Sequence, residues 1–166
     1  MSEPDPSVTQ LLAFVDEAFD RQAWHGPTLR GSLRGVTENQ AAWRPAPGRH
    51  NIWEVALHAA YWKHVVRGRL LGSRTAFGER GRNWFVRPAP DRRWPEDVRR
   101  LVEAHRQLRD VIASLSPRDL RRQVGGHPLA YTVRGIAAHD LYHAGQIQLL
   151  KRLGRRAKGR SEGVKG

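Results

Sequence analysis

Apolar residues recur along this chain at the spacing of helices rather than strands. Val8, Leu11, Leu12, Val15, Ala18 and Phe19 form a first stripe and predict a helix from about Ser7. Gly26-Pro27 predicts a kink or break, beyond which Leu29 and Leu33 can continue the stripe. A polar stretch with Pro45, Pro47 and Gly48 follows. A second helix is predicted from Asn51, a residue suited to the N-cap, to Leu71, with Gly72 as its stop. Residues 73–94 contain Gly78, Gly81, Pro88 and Pro90 and read as a long loop. A third helix begins near Pro95, with Glu96 and Asp97 at its positive end. Its seam is Val98, Leu101, His105, Leu108, Ile112 and Leu115. The fourth runs from about Thr132 to Leu153, with Val133, Ile136, Ile147 and Leu150 on one side and Gly154 as the stop. Alternation over more than four residues is absent, and so is any internal repeat. The predicted class is therefore all-α, four helices packed as a bundle. Connections 35–50 and 73–94 are long for such a fold, which predicts a functional role at one end of it.

Composition narrows the chemistry. A length of 166 residues predicts one domain, placed at residues 1–153. The absence of cysteine excludes disulfides, thiolate metal sites and cysteine nucleophiles. No apolar run approaches the length of a membrane span and no signal-peptide pattern opens the chain, so the expected location is the cytoplasm. The net charge is +13. Residues 151–166 hold seven Lys/Arg against Glu162 alone, a net of +6, and the Gly-rich, aperiodic tail at 154–166, which includes Arg155, Arg156, Lys158 and Arg160, is predicted to be disordered. Such a tail can touch phosphates non-specifically. The body carries no stacked-aromatic RNA motif and no recognition-helix pattern, so specific nucleic-acid binding is not expected.

The candidate chemistry sits on the helices. His139 and His143 lie four residues apart, on the apolar stripe of the fourth segment. Residues so spaced share a helix face, about 6 Å apart along the axis, and two imidazoles there can bind one metal ion. The pair alone also fits two half-exposed histidines. His58 shares a face with Val55, Trp62 and Val65 in the second segment, and a bundle can bring it to the pair. Three neutral imidazoles suit zinc, nickel, copper or iron, and three protein ligands leave a coordination position open, as catalytic sites do.

Further residues match a known pattern. Gly48-Arg49-His50-Asn51-Ile52-Trp53-Glu54 leads to His58, and His139-Asp140-Leu141-Tyr142-His143-Ala144-Gly145-Gln146-Ile147 carries the pair. Ala23-Trp24-His25-Gly26-Pro27 and Arg93-Trp94-Pro95 extend the match. In these residues the chain resembles the DinB-like superfamily, which includes the YfiT-type thiol transferases, over roughly residues 7–153. The resemblance implies a four-helix bundle of down-up-up-down topology, a homodimer, and His58, His139 and His143 as metal ligands. It implies zinc or nickel first, with iron, manganese or cobalt as alternatives. Activities in the family include metal-dependent transfer of low-molecular-weight thiols and thiol-dependent isomerisation.

Other residues fill out the candidate site. His25, beside the expected helix break, reads as a proton shuttle or pocket residue, or else as a helix-end cap. Tyr61, Trp62 and Trp84 are candidate pocket walls. Asp140 and Gln146 are candidate partners for the free N–H of a ligand imidazole. His105 reads as a core histidine, with ligation the lesser alternative, and His50 as part of the capping structure before the second helix. His64 is expected to be exposed, and His127 lies in a Gly-rich loop. The leading functional reading is a metal-dependent enzyme acting on a small molecule, with a thiol transferase favoured by the resemblance. Its rivals are a metal-dependent hydrolase at the same site and a non-catalytic metal- or small-molecule-binding stress-response protein.

Overall fold

Four long helices carry the architecture of this computed structural model, which describes residues 6–162, with side chains through 159. They are α1 (Pro6–Phe19), α4 (Ile52–Leu71), α5 (Trp94–Ala113) and α7 (Leu129–Glu162). Shorter helices lie between them: α2 (Leu29–Ser32), α3 (Glu38–Ala42) and α6 (Pro117–Arg121). Helix α4 packs against α5 and α7, and α1 also packs against both. No helix is long and apolar enough to cross a membrane among the described residues.

Helix α4 has the ends its sequence predicts. The Asn51 side chain accepts the Glu54 N–H at 2.8 Å and satisfies one of the donors that a helix start leaves unpaired. Gly72 closes the helix at φ 68°, a left-handed conformation that suits glycine. Between these caps every residue from Ile52 to Ala60 is buried. This half of α4 has no solvent face, which makes it the centre of the fold. Helix α5 is amphipathic by contrast. Leu101, His105, Leu108 and Ile112 line its buried seam, and Pro95 stands in its first turn.

Elsewhere the structure corrects the sequence reading. The first helix stops at Phe19, and Leu29 belongs to the separate helix α2, capped by Thr28. The polar stretch before Asn51 contains α3, closed by a capping box of Thr37 and Gln40. A two-stranded antiparallel ladder forms where no strand was predicted, β1 (Gln123–Val124) against β2 (His127–Pro128). Gly125 and Gly126 turn it with φ of 62° and 82°, the paired positive values that tight hairpins require. Two residues per strand are too few to leave an alternating pattern. Gly154 does not end the last helix, and the tail through Glu162 is helical rather than irregular. A Cβ on Gly154 would meet the Trp43 ring at 3.3 Å. The glycine thus lets α7 pass close to an indole. The rest of the tail reading, residues 163–166, lies outside the described residues.

The loop between α4 and α5 is tied down by charge. Arg87 is buried and pairs with Asp97 at 2.8 Å and Glu79 at 3.2 Å. Asn51 reaches the same segment, donating to the Arg87 carbonyl at 2.8 Å. The loop is thereby held against the N-terminal half of α4, where His58 lies.

Candidate metal centre

His58 comes from α4, and His139 and His143 from α7. One ring nitrogen of each lies within 4.8 Å of those of the other two. The atoms that meet are the three Nε2 nitrogens. His139 Nε2 stands 3.2 Å from His58 Nε2 and 3.0 Å from His143 Nε2. His58 and His143 are buried, and His139 is half-buried.

The outward nitrogens decide what those Nε2 atoms carry. His58 Nδ1 lies 2.7 Å from the Asn83 carbonyl, a group that can only accept, so Nδ1 holds the proton. His143 Nδ1 lies 2.7 Å from Gln146 Oε1, and the Gln146 amide donates to the Tyr142 hydroxyl at 3.0 Å. Each of these two rings therefore presents a bare Nε2 lone pair to the centre. His139 Nδ1 is buried and has no partner among the described residues. Nδ1 is therefore without a described partner in either tautomer, but a proton on His139 Nε2 would serve two facing lone pairs with one hydrogen. A cation among the three nitrogens satisfies all of them. The donor set thus fits a divalent transition metal.

Electrostatics favours the ligand form. Burial, with lesser repulsion from the other two site histidines and Lys63, pushes His139 down to about 3. Burial is also the largest cause for His143, which falls to about 4 against a raising contribution from Gln146. Burial lowers His58 against its bond to Asn83, with His50 adding to the lowering. Neutral imidazole is the form that binds metal.

Aromatic rings surround the three histidines. Trp84 is stacked between two imidazoles, His58 at 3.8 Å and His50 at 3.6 Å between centroids. Trp62 presents an edge to His58 at 6.3 Å and to His139 at 6.2 Å. Tyr61 lies one layer further out, packed on Trp62, Phe77 and Phe85. Tyr142 contacts His143 at 5.1 Å and is largely exposed.

Other candidate residues fall elsewhere. His25 is exposed in the turn where Ala23 and Gly26 pair, and the described contacts of the three histidines do not include it. His105 is buried against Phe19, ring centroids 3.7 Å apart, and does not join the cluster. Asp140 is buried and pairs with Lys63 rather than with a site imidazole. His50 precedes the cap of α4 and bonds Glu54 at 3.0 Å. His64 is half-buried rather than exposed, bonded to the Thr75 carbonyl at 2.8 Å. His127 stacks on Tyr131 at 4.2 Å. The Asn83 carbonyl escapes sequence reading because any residue offers one. Lys63 escapes it because a lone lysine in an apolar run reads as a solvated side chain.

Among known proteins, the family model of the DinB superfamily matches residues 21–147, most of the chain and all three histidines. No curated protein and no solved structure matches it.

Proposed function

The chain belongs to the DinB superfamily, and on that premise we propose that it is a metal-dependent enzyme whose ion is held by His58, His139 and His143. The observation that carries this reading is the facing of three Nε2 atoms, two of them stripped of protons by the acceptors behind their rings. Asn83 and Gln146 hold the His58 and His143 rings in the ligating tautomer. Trp84 and Trp62 limit the water around the nitrogens and keep the rings neutral. The down-up-up-down order of the four long helices and a homodimer, both implied by the resemblance, belong to the same proposal.

When bound, a divalent ion supplies Lewis acidity, lowering the pKa of a thiol or water so that an anionic nucleophile exists at neutral pH. We favour transfer of a low-molecular-weight thiol to an electrophilic small molecule, because the family resemblance points there. The exposed Tyr142 hydroxyl, tied through Gln146 to His143, is positioned to meet a substrate at this rim.

Metal analysis of the purified protein tests the first step. One zinc or nickel ion per chain is expected, lost in His143→Ala. A panel of small thiols and electrophiles, run with metal-loaded protein and the same variant, tests the second. Thiol-dependent turnover that disappears in His143→Ala is the expected result. A wild-type protein that binds no divalent ion overturns the reading, and loaded protein inert to every thiol removes the transferase part.

A further inference from the structure

The core contains a lysine. Lys63 is fully buried, its ammonium paired with the equally buried carboxylate of Asp140. Lys63 stands on α4, five residues after His58, and Asp140 stands on α7 directly after His139. The two helices that supply the metal ligands are therefore joined by an ion pair beside the ligands. The ammonium also lies 4.8 Å above the Phe19 ring of α1. Val66 of α4 and Val133, Ile136 and Ala137 of α7, close in sequence to the pair, belong to one buried apolar cluster.

Stability does not call for this pair. Two charges taken out of water lose hydration that their attraction repays only in good geometry, and well-packed apolar residues often serve as well or better. What apolar residues supply less sharply is direction, because the hydrophobic effect is non-directional whereas an ion pair holds two particular atoms together. One residue of slip moves a helix by about 1.5 Å. That slip would part Lys63 from Asp140 and strand two buried charges. The same slip would draw His58 away from His139 and His143, whose ion needs metal–nitrogen distances near 2.0–2.1 Å.

We infer that the buried Lys63–Asp140 pair is a positioning device that fixes the register of α4 against α7, and through it the convergence of the three imidazoles. Neither residue touches an imidazole of the cluster in the described hydrogen bonds, and Asp140 does not partner His139 Nδ1, which is unpaired. The pair acts through the helix backbones. This inference rests on the metal-site reading.

The test compares wild type with Lys63→Met/Asp140→Leu, which replaces the pair by apolar side chains, and with Lys63→Gln/Asp140→Asn, which keeps a directional hydrogen bond without charge. Thermal melts of metal-free protein report folding. Zinc affinity by chelator competition and the visible absorption of the cobalt-loaded protein report ligand geometry. The apolar variant should melt within a few degrees of wild type or higher, bind zinc at least tenfold more weakly, and show an altered cobalt spectrum. The amide variant should keep wild-type affinity within about threefold. An apolar variant with wild-type affinity and spectrum overturns the inference while leaving the metal reading intact. Equal losses in both variants overturn it in favour of a simple charge effect on the ion. Should the apolar variant not fold, Lys63→Met/Asp140→Asn takes its place in the same comparison. A wild-type protein that binds no zinc or cobalt overturns the metal reading and this inference with it.

Discussion

His143 has its outer nitrogen held by a single side chain, Gln146, 2.7 Å away. Gln146→Leu removes that acceptor and frees the ring to place its proton on Nε2, where a metal must bind. Outer partners of this kind contribute about 10–100-fold to metal affinity, and a loss in that range is expected by competition against a chromophoric chelator. Unchanged affinity would mean that another group fixes the tautomer. His105 carries a different prediction, because its task is packing. Burial, followed by repulsion from Lys63, Arg109 and Arg30, pushes it down to about 2. Asp16 lies 3.9 Å away but is engaged by the Arg109 guanidinium at 2.8 Å, so it offers His105 little charge. In the unfolded chain this histidine takes its proton near pH 6.5. The unfolded state therefore binds more protons at every pH from about 6.5 down to about 2, and stability falls as pH falls through that window. Denaturant melts of metal-free His105→Leu should show a pH slope shallower than wild type by about 1.4 kcal/mol per unit between pH 5 and 4. Identical slopes would show that folded His105 takes up its proton. At this scale the sequence was informative where spacing speaks. His139 and His143 declare a shared face by their separation, and Trp62 and Trp84 were credible walls. His25 stands exposed in its turn, outside the described contacts of the three histidines.

Helix ends were legible where the capping chemistry is local. Asn51 and Gly72 bound α4 through bonds and dihedrals that depend on a few residues nearby. The last helix was misread for the opposite reason. Glycine stops a helix when the next residues need a left-handed turn, but it also serves where a neighbour comes too close for a Cβ. Only tertiary structure separates the two, and here the neighbour is Trp43, remote in sequence. Gly154, Arg155, Ala157 and Lys158 line a groove together with Trp43, Ile52 and Leu150. Truncation after Leu153 should therefore destabilise the fold by uncovering one side of the Trp43 indole. Apolar burial of the size of part of one indole gives about 1–2 kcal/mol, read as a lower midpoint in urea. Metal content should not change, since the cluster lies further back along α7. A truncated protein as stable as the full chain would show that the helical extension contributes no packing. The hairpin and the short helices α2, α3 and α6 mark the lower limit of periodicity, which needs two or three turns to be visible. Their caps do leave a trace, in Thr37 with Gln40 and Ser116 with Asp119.

Across the whole molecule, the cluster joins parts of the chain that are far apart. His58 lies in the buried half of the central helix, Asn83 and Trp84 in the loop after it, and His139 and His143 on the final helix. The all-helical class could be read from the sequence, as could the helices that bear the three histidines. That the loop after α4 would reach back to them could be anticipated only as a general function of long connections, because the carbonyl it offers has no side-chain signature. An ion held here binds the folded state and not the separated helices, so it should stabilise the whole fold by mass action. At free metal a hundredfold above the dissociation constant, the gain is about 2.7 kcal/mol. For a chain of this size that corresponds to a rise in melting temperature of about 5–10 °C. Calorimetry in zinc, then in excess chelator, should show the rise and its reversal. His143→Ala should melt at the same temperature with and without zinc, which separates binding at the cluster from weak binding to exposed histidines such as His25. A zinc-dependent rise that persists in that variant would place the stabilising ion elsewhere on the molecule. No rise in the wild type would mean that the three Nε2 atoms face one another without holding a metal.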